Sequence, residues 1–191
     1  MTTTATPALT FDPALLLAAQ GVRLVLLDVD GVFTDGGLFY TEAGESSKRF
    51  NTLDGLGLKL LQQAGITPAV VTGRDSAALR TRLAALGITH AVFGTEDKLP
   101  AANQLLATLG LNWSQAAAMG DDWPDLPLLA HAAFAAAPAN AHAEVKARAH
   151  YVTQATGGNG AVRELCDILL QASGRYAEML RRYLPHAPQQ P

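Results

Sequence analysis

Residues 22–27 are apolar at every position except Arg23 and run directly into Asp28. A run without polar alternation is the pattern of a strand covered on both faces, as in the middle of a parallel sheet. Similar runs occur at 67–71, 90–93, 116–119 and 134–136, with a shorter one at 151–153. Between them, apolar residues recur at helical spacing over 56–63, 76–86 and 99–109, each stretch closed by a glycine: Gly65, Gly87 and Gly110. Strand and helix alternating in this way predict an α/β fold, a doubly wound, mainly parallel Rossmann-like sheet with right-handed crossovers. Asp12 and Pro13 open a short lead-in helix that ends at Gly21. Further helices are predicted over 162–170 and 175–184, the last presenting Tyr176, Met179, Leu180 and Tyr183 as a packing face suited to subunit contact.

The stretch 36–50 breaks the alternation. Two short polar and aromatic segments flank a turn around Gly44, which predicts a β-hairpin flap beside the end of the first strand. No segment is long enough for a separate cap domain. With 191 residues, 49% of them hydrophobic, one domain is expected over 11–184, between a flexible N-terminus (1–10) and a disordered Pro/Gln-rich tail (185–191).

Charge narrows the partners. The formal net charge is −3 and the Lys and Arg residues are scattered, which argues against nucleic acid or an anionic membrane and points to a small molecule. The N-terminus carries neither a basic region nor a long apolar stretch, so no signal peptide or anchor is expected. Cys166 is single and sits on an apolar helix face, reading as core. A reducing cytoplasm fits it.

In an open α/β sheet, ligands bind beyond the carboxyl ends of the strands. Those ends carry Asp28 and Asp30 after the first strand, Thr72, Gly73 and Arg74 after the second, and Gly120, Asp121 and Asp122 after the fourth. Carboxylates gathered in one crevice repel one another unless a cation neutralises them. A hard divalent ion is implied, and magnesium commonly joins one or two carboxylates to a phosphate. The five histidines show no ligand spacing for zinc. With metal and phosphate in place, Asp28 could attack phosphorus to give an aspartyl-phosphate, and Asp30 could protonate the leaving oxygen and then activate water. Thr72 could bind phosphoryl oxygens while Lys98 neutralises developing charge.

Asp28-x-Asp30-Gly31-Val32-x-Thr34-Asp35-Gly36, Thr72-Gly73-Arg74, Lys98 and Gly120-Asp121-Asp122-x-x-Asp125 resemble the four ordered motifs of haloacid-dehalogenase-superfamily phosphatases. The resemblance implies Asp28 as nucleophile, Asp30 as acid/base, Thr72 and Lys98 as phosphate binders, and magnesium held by Asp28, Asp121 and the backbone carbonyl of Asp30. Over most of the chain, Lys48-x-Phe50-Asn51-x-x-Asp54-Gly55-x-Gly57, the flap, and Gly157-Gly158-x-Gly160-Ala161-Val162-Arg163-Glu164 are similar to the 3-deoxy-D-manno-octulosonate 8-phosphate phosphatase family. That likeness implies a capless homotetramer in which flaps and C-terminal segments close neighbouring sites. It also implies a phosphorylated sugar acid as substrate, in lipopolysaccharide precursor synthesis, with contacts at Asn51, Thr52, Leu53, Asp54, Gly55, Lys59, Arg74, Arg82 and Lys98, alongside Asp30 and Gly73. The family usually has arginines where Lys59 and Asn159 stand. An arginine fork binds a carboxylate bidentately and a lysine does not, so a related nine-carbon keto acid phosphate is the alternative substrate.

Blander readings stand beside these. An Asp at a strand end often only caps a turn; Asp125 could cap the helix that follows it, and Asp122 could orient Lys98 or the metal shell. Arg74 and Arg82, eight residues apart, could pair with acids on one helix face. Gly157 to Gly160 could be a flexible joint. Two other classes compete with the phosphatase reading: a phosphorylated signalling receiver and a silent scaffold. In a receiver the Lys comes last, whereas Lys98 precedes the final acidic motif, and a scaffold would not need both Asp28 and Asp30.

Overall fold

The structure, a computed structural model, describes residues 7–184. The expected disordered tail lies wholly outside them, as does more than half of the expected flexible N-terminus. Helix α1 (Pro13–Ala18) leads into strand β1 (Leu24–Leu27), and Asp12 caps it by accepting from the amide of Ala14 at 2.8 Å. The hairpin β2 (Phe39–Thr41) and β3 (Gly44–Ser47) follows, then α2 (Thr52–Gln63), β4 (Thr67–Val71), α3 (Ala77–Leu86) and β5 (His90–Val92). The chain continues through α4 (Lys98–Leu109), β6 (Ala116–Met119), α5 (Leu126–His131), β7 (Phe134–Ala137), α6 (Ala143–Lys146) and β8 (Tyr151–Val152), and closes with α7 (Ala161–Ala172) and α8 (Tyr176–Arg181).

Six strands form one wholly parallel sheet in the order β5-β4-β1-β6-β7-β8, with the hairpin as a separate antiparallel pair. All four residues of β1 are buried, because alternate side chains enter cores on opposite faces. Val25 and Leu27 pack with Leu58 and Leu61 of α2, Leu79 and Leu83 of α3, and Leu165 and Leu169 of α7. Leu24 and Leu26 face Ala102 and Leu106 of α4, Leu128 of α5 and Val145 of α6. The chain travels outward from β1 through β4 to β5, then returns to lay β6 on the other side of β1. That reversal opens a crevice at the carboxyl ends of β1 and β6, where such sheets bind ligands.

Two local departures matter for the site. Helix α2 starts at Thr52, four residues before the periodic stretch, because the Asn51 side chain accepts from the Leu53 amide at 2.8 Å. Thr52 to Gly55 are therefore the first turn of a helix. Helix α3 starts at Ala77 under a Ser76 cap, which leaves Arg74 in the preceding loop and Arg82 in mid-helix, so the two do not share a helix face. Helix α6, four residues long, had no periodicity to reveal it. Cys166 is buried in the core, and burial pushes its thiol well above the usual range.

Candidate active site

Asp28 ends β1, with its amide donating to the Met119 carbonyl of β6 at 3.0 Å, so it stands at the mouth of the reversal. The loop after it turns back immediately: the amides of Phe33 and Thr34 both donate to the carbonyl of Val29 at 2.9 Å. Gly31, at φ +90°, makes that turn, and a Cβ there would sit 2.0 Å from the Asp121 carboxylate. Glycine thus lets the β1 loop and the end of β6 meet.

Lys98, the first residue of α4, is 4% exposed and donates to Asp28 Oδ1 and to Asp125 Oδ1, each at 2.6 Å. Burial alone would lower the lysine pKa, but the Asp28 and Asp125 carboxylates outweigh it and hold the ammonium charged. The Asp28 carboxyl is pushed up to about 6, first by burial and then by the Asp125 charge, with Lys98 opposing both. Asp121 is pushed up to about 7, again by burial first, then by Asp28, Asp125 and Asp122.

Carboxylate oxygens of Asp28, Asp121 and Asp125 lie within 4.8 Å of one another. Both oxygens of Asp125 are already engaged, one by Lys98 and the other by the amides of Asp121 (3.0 Å) and Asp122 (3.3 Å). The Asp121 carboxylate accepts no hydrogen bond from the described residues, whereas its backbone carbonyl accepts from the His142 amide at 2.8 Å. A hard divalent cation would therefore fall to Asp28 and Asp121, whose mutual repulsion it would relieve. Asp125 leans so close that a Cβ at Gly120 would lie 2.2 Å from its own Cβ. Its carboxylate does not cap α5, and Asp122 does not orient Lys98: Asp122 caps its own turn, accepting from Trp123 at 2.8 Å. The two residues exchange the roles the spacing suggested.

Asp28, Asp30, Thr72, Gly73, Arg74, Lys98 and Asp121 line one cavity of about 490 Å³, together with Glu96, Asp122, Pro124 and Asp125. Thr72 is buried at the end of β4, and its hydroxyl accepts from the Arg74 amide at 3.3 Å. Arg74 reaches over the crevice to the Tyr40 hydroxyl of the hairpin at 3.0 Å. A larger hollow of about 800 Å³ lies between the N-terminal segment and α7, but its charged side chains are already engaged, Arg163 with Asp167, Glu164 with the Tyr151 hydroxyl and Asp12 with the Ala14 amide.

Asn51, Thr52, Leu53, Asp54, Gly55, Lys59 and Arg82 do not line the crevice of their own chain. Asp54 is fully buried and accepts from the Arg163 amide at 2.8 Å, capping the N-terminus of α7 from the side of α2. Burial raises its carboxyl pKa against the pull of that amide. Gly55 leaves room for Arg82, whose Nη2 donates to the Asn51 carbonyl at 3.1 Å. Lys59 is solvent-exposed on α2. Conversely, Lys48 enters the site region unannounced: its side chain is 1% exposed and donates to Asp30 Oδ1 at 2.5 Å. Its place at the head of the Lys48-x-Phe50-Asn51 run was the only signal.

Residues 90–165 match the haloacid dehalogenase-like hydrolase family. The 3-deoxy-D-manno-octulosonate 8-phosphate phosphatase of Yersinia pestis is 44% identical over 82% of this chain and 84% of its own length, and that of Escherichia coli is 42% identical over 84% and 85%. A crystal structure of the Moraxella catarrhalis phosphatase of the same name, in complex with magnesium ion, phosphate ion and KDO, superposes with a TM-score of 0.86 at 39% identity. It covers 90% of this chain and 98% of its own. Identity at this level over more than four-fifths of this chain and of its relatives makes this chain a member of the 3-deoxy-D-manno-octulosonate 8-phosphate phosphatase family of haloacid dehalogenase-like hydrolases.

Proposed function

We propose that this protein is a magnesium-dependent phosphatase that hydrolyses 3-deoxy-D-manno-octulosonate 8-phosphate to the free sugar acid and phosphate through an aspartyl-phosphate at Asp28. The observation that carries the reading is the Lys98 ammonium bridging Asp28 and Asp125 at 2.6 Å on each side, at the switch point of the sheet. Magnesium, held by Asp28, Asp121 and the Asp30 backbone carbonyl, supplies positive charge against the phosphoryl oxygens.

Every other part of the chemistry falls to the chain. Lys98 fixes one oxygen of the Asp28 carboxylate and so sets its plane for in-line attack on phosphorus. The P–O bond to the sugar breaks as the bond to Asp28 forms, and Asp30 delivers a proton to the departing oxygen. Asp30 then takes a proton from water, which attacks the aspartyl-phosphate and releases phosphate. The Thr72 hydroxyl and neighbouring amides bind phosphoryl oxygens, and Arg74 at the rim offers a cation to the anionic substrate.

Residues 11–184 form the catalytic unit in this reading, working as a homotetramer in the cytoplasm and in lipopolysaccharide precursor synthesis. Leu38, Phe39 and Tyr40 of the hairpin are 40%, 51% and 60% exposed, an apolar edge that association would cover. Among the described residues no helix is long and apolar enough to cross a membrane. In the tetramer, Asn51 to Gly55, Lys59 and Arg82 are assigned to the substrate side from the family likeness, although within one chain they do not line the crevice.

Asp28→Asn should abolish turnover of 3-deoxy-D-manno-octulosonate 8-phosphate with magnesium while leaving the circular dichroism spectrum unchanged. Retained turnover in that variant would sink the mechanism. A specificity constant higher for a nine-carbon keto acid phosphate would move the substrate and keep the chemistry.

A further inference from the structure

Lys48 follows directly on strand β3 of the hairpin and is a cation with a buried side chain that the mechanism above leaves without a role. Its side chain is 1% exposed, against 21% for Asp30 and 15% for Glu45 on either side of it. Nζ donates to Asp30 Oδ1 at 2.5 Å. Glu45 Oε1 lies 3.1 Å away on the other side without hydrogen-bond geometry, so it meets the ammonium as charge alone. Withdrawing an ammonium from water costs several kcal/mol unless its partners compensate, so a buried lysine set on one carboxylate needs an explanation beyond surface pairing.

Asp30 is held elsewhere only weakly. Its second oxygen, Oδ2, is 3.8 Å from Arg74 Nε, too far for a hydrogen bond, and faces the crevice that Arg74 and Thr72 line. A carboxylate in a loop is otherwise free to turn about its side-chain torsions. Pinning Oδ1 removes that freedom and leaves Oδ2 as the oxygen presented to the substrate. Arg74 is itself bonded to Tyr40 of the same hairpin, so the flap grips the acid's surroundings at two points, one through β2 and one after β3.

We infer that Lys48 is a positioning residue for proton transfer: it anchors Asp30 Oδ1 so that Oδ2 meets the leaving-group oxygen, and it makes delivery of that proton depend on the seated hairpin. The inference rests on the phosphatase reading. The two can fail separately, because attack by Asp28 is held by β1 and Lys98, neither of which touches Lys48.

The test separates the two steps by leaving group. Aryl phosphates such as p-nitrophenyl phosphate expel an anion that needs little help from an acid, whereas a sugar or alkyl phosphate expels an alkoxide that needs a proton. The ratio kcat/KM reports only steps up to departure of that group, so later hydrolysis of the aspartyl-phosphate does not blur it. For Lys48→Met, kcat/KM on the sugar phosphate should fall about 100-fold, the lower end of what a positioned general acid supplies, and by no more than about threefold on p-nitrophenyl phosphate. Lys48→Arg, which keeps a donor at nearly the same reach, should recover part of the sugar phosphate rate. Glu45→Gln, which leaves Lys48 in place, should keep the unaltered ratio between the two substrates. Equal losses on both esters, or none on either, would overturn the positioning role, since a lysine that merely holds the hairpin together has no means of sensing the leaving group. Hydrolysis of neither ester by the unaltered protein would remove the phosphatase reading, and this inference with it.

Discussion

The acids at the switch point tie the stability of the metal-free protein to pH in a direction opposite to ordinary salt-bridged carboxylates. Asp28 titrates at about 6 and Asp121 at about 7, both above the ordinary 3.8. Below pH ~3 both groups are largely protonated whether the chain is folded or not. Between there and neutrality the folded protein holds protons that the unfolded chain has released, so stability falls as pH rises through this window and levels off above it. At about 1.4 kcal/mol per unit, the Asp28 shift alone corresponds to about 3 kcal/mol lost by pH 8. Asp121 adds to this, discounted because its carboxylate is partly open to solvent. For a chain of this size ~3 kcal/mol moves the melting temperature by about 6–12 °C. Magnesium bound between the two carboxylates should restore it, so the gap between melting curves with magnesium and with chelator should widen from pH 5 to pH 8. Asp121→Asn isolates the cause: in chelator at pH 8 it should melt above the unaltered protein, and it should lose most of the response to magnesium. A melting temperature in chelator that is flat from pH 5 to pH 8, or an Asp121→Asn variant no more stable than its parent at pH 8, would refute the reasoning.

Three further outcomes follow from single contacts. Asp125→Ala leaves the Asp121 and Asp122 amides unpaired and Lys98 with one partner, so urea denaturation should register a loss of about 3–5 kcal/mol and kcat should fall at least ~100-fold. Gly157→Ala would place a Cβ 1.9 Å from the Gly31 carbonyl oxygen; displacing the loop that carries Asp30 should cost about 100-fold in kcat, with a stability loss of about 1–3 kcal/mol by thermal melting. Asp54→Ala removes the cap of α7 and should cost about 1–2 kcal/mol by thermal melting, and a raised KM in the same variant is what its assignment to the substrate side of the tetramer requires.

The sheet was legible because buried parallel strands are continuous apolar runs and the helices between them end in glycines with positive φ, as Gly87 and Gly110 do at +70° and +63°. The crevice residues were legible for a related reason: each buried apolar run stops abruptly at a crevice residue, β1 at Asp28, β4 at Thr72 and β6 at Gly120. What the apolar pattern could not give was the direction of side chains within a single turn. Asp122 and Asp125 are both acids in one short turn, and only its geometry decides which carboxylate reaches Lys98. Asp54 sits in a motif that reads as substrate loop, yet one early helical turn under the Asn51 cap rotates it onto α7. Lys48 was hidden because its partner Asp30 lies 18 residues away, across a hairpin whose seating no local pattern encodes.

The glycine run at 157–160, a flexible joint by composition, is the opposite in the folded chain. Gly157 and Gly158 are buried against the loop after β1: the Gly158 amide donates to the Val32 carbonyl at 3.0 Å, and a Cβ at Gly158 would lie 2.5 Å from the Asp35 amide nitrogen. Asn140 clamps the same place, accepting from the Gly157 amide at 2.7 Å while donating to the Gly31 carbonyl at 3.3 Å. The loop that carries Asp30 is therefore braced from the C-terminal half of the chain, and its outer edge is tied to the hairpin, where Arg49 joins Asp35 at 3.0 Å and Asn159 at 2.9 Å. A two-stranded hairpin is marginal alone, so these ties and Lys48 are what seat it. In the proposed mechanism, attack and proton transfer consequently rest on different supports. Asp28 is fixed by β1 and Lys98 within the sheet core, whereas Asp30 takes its orientation from the hairpin. A change that loosens the hairpin should therefore spare the nucleophile and disable the acid.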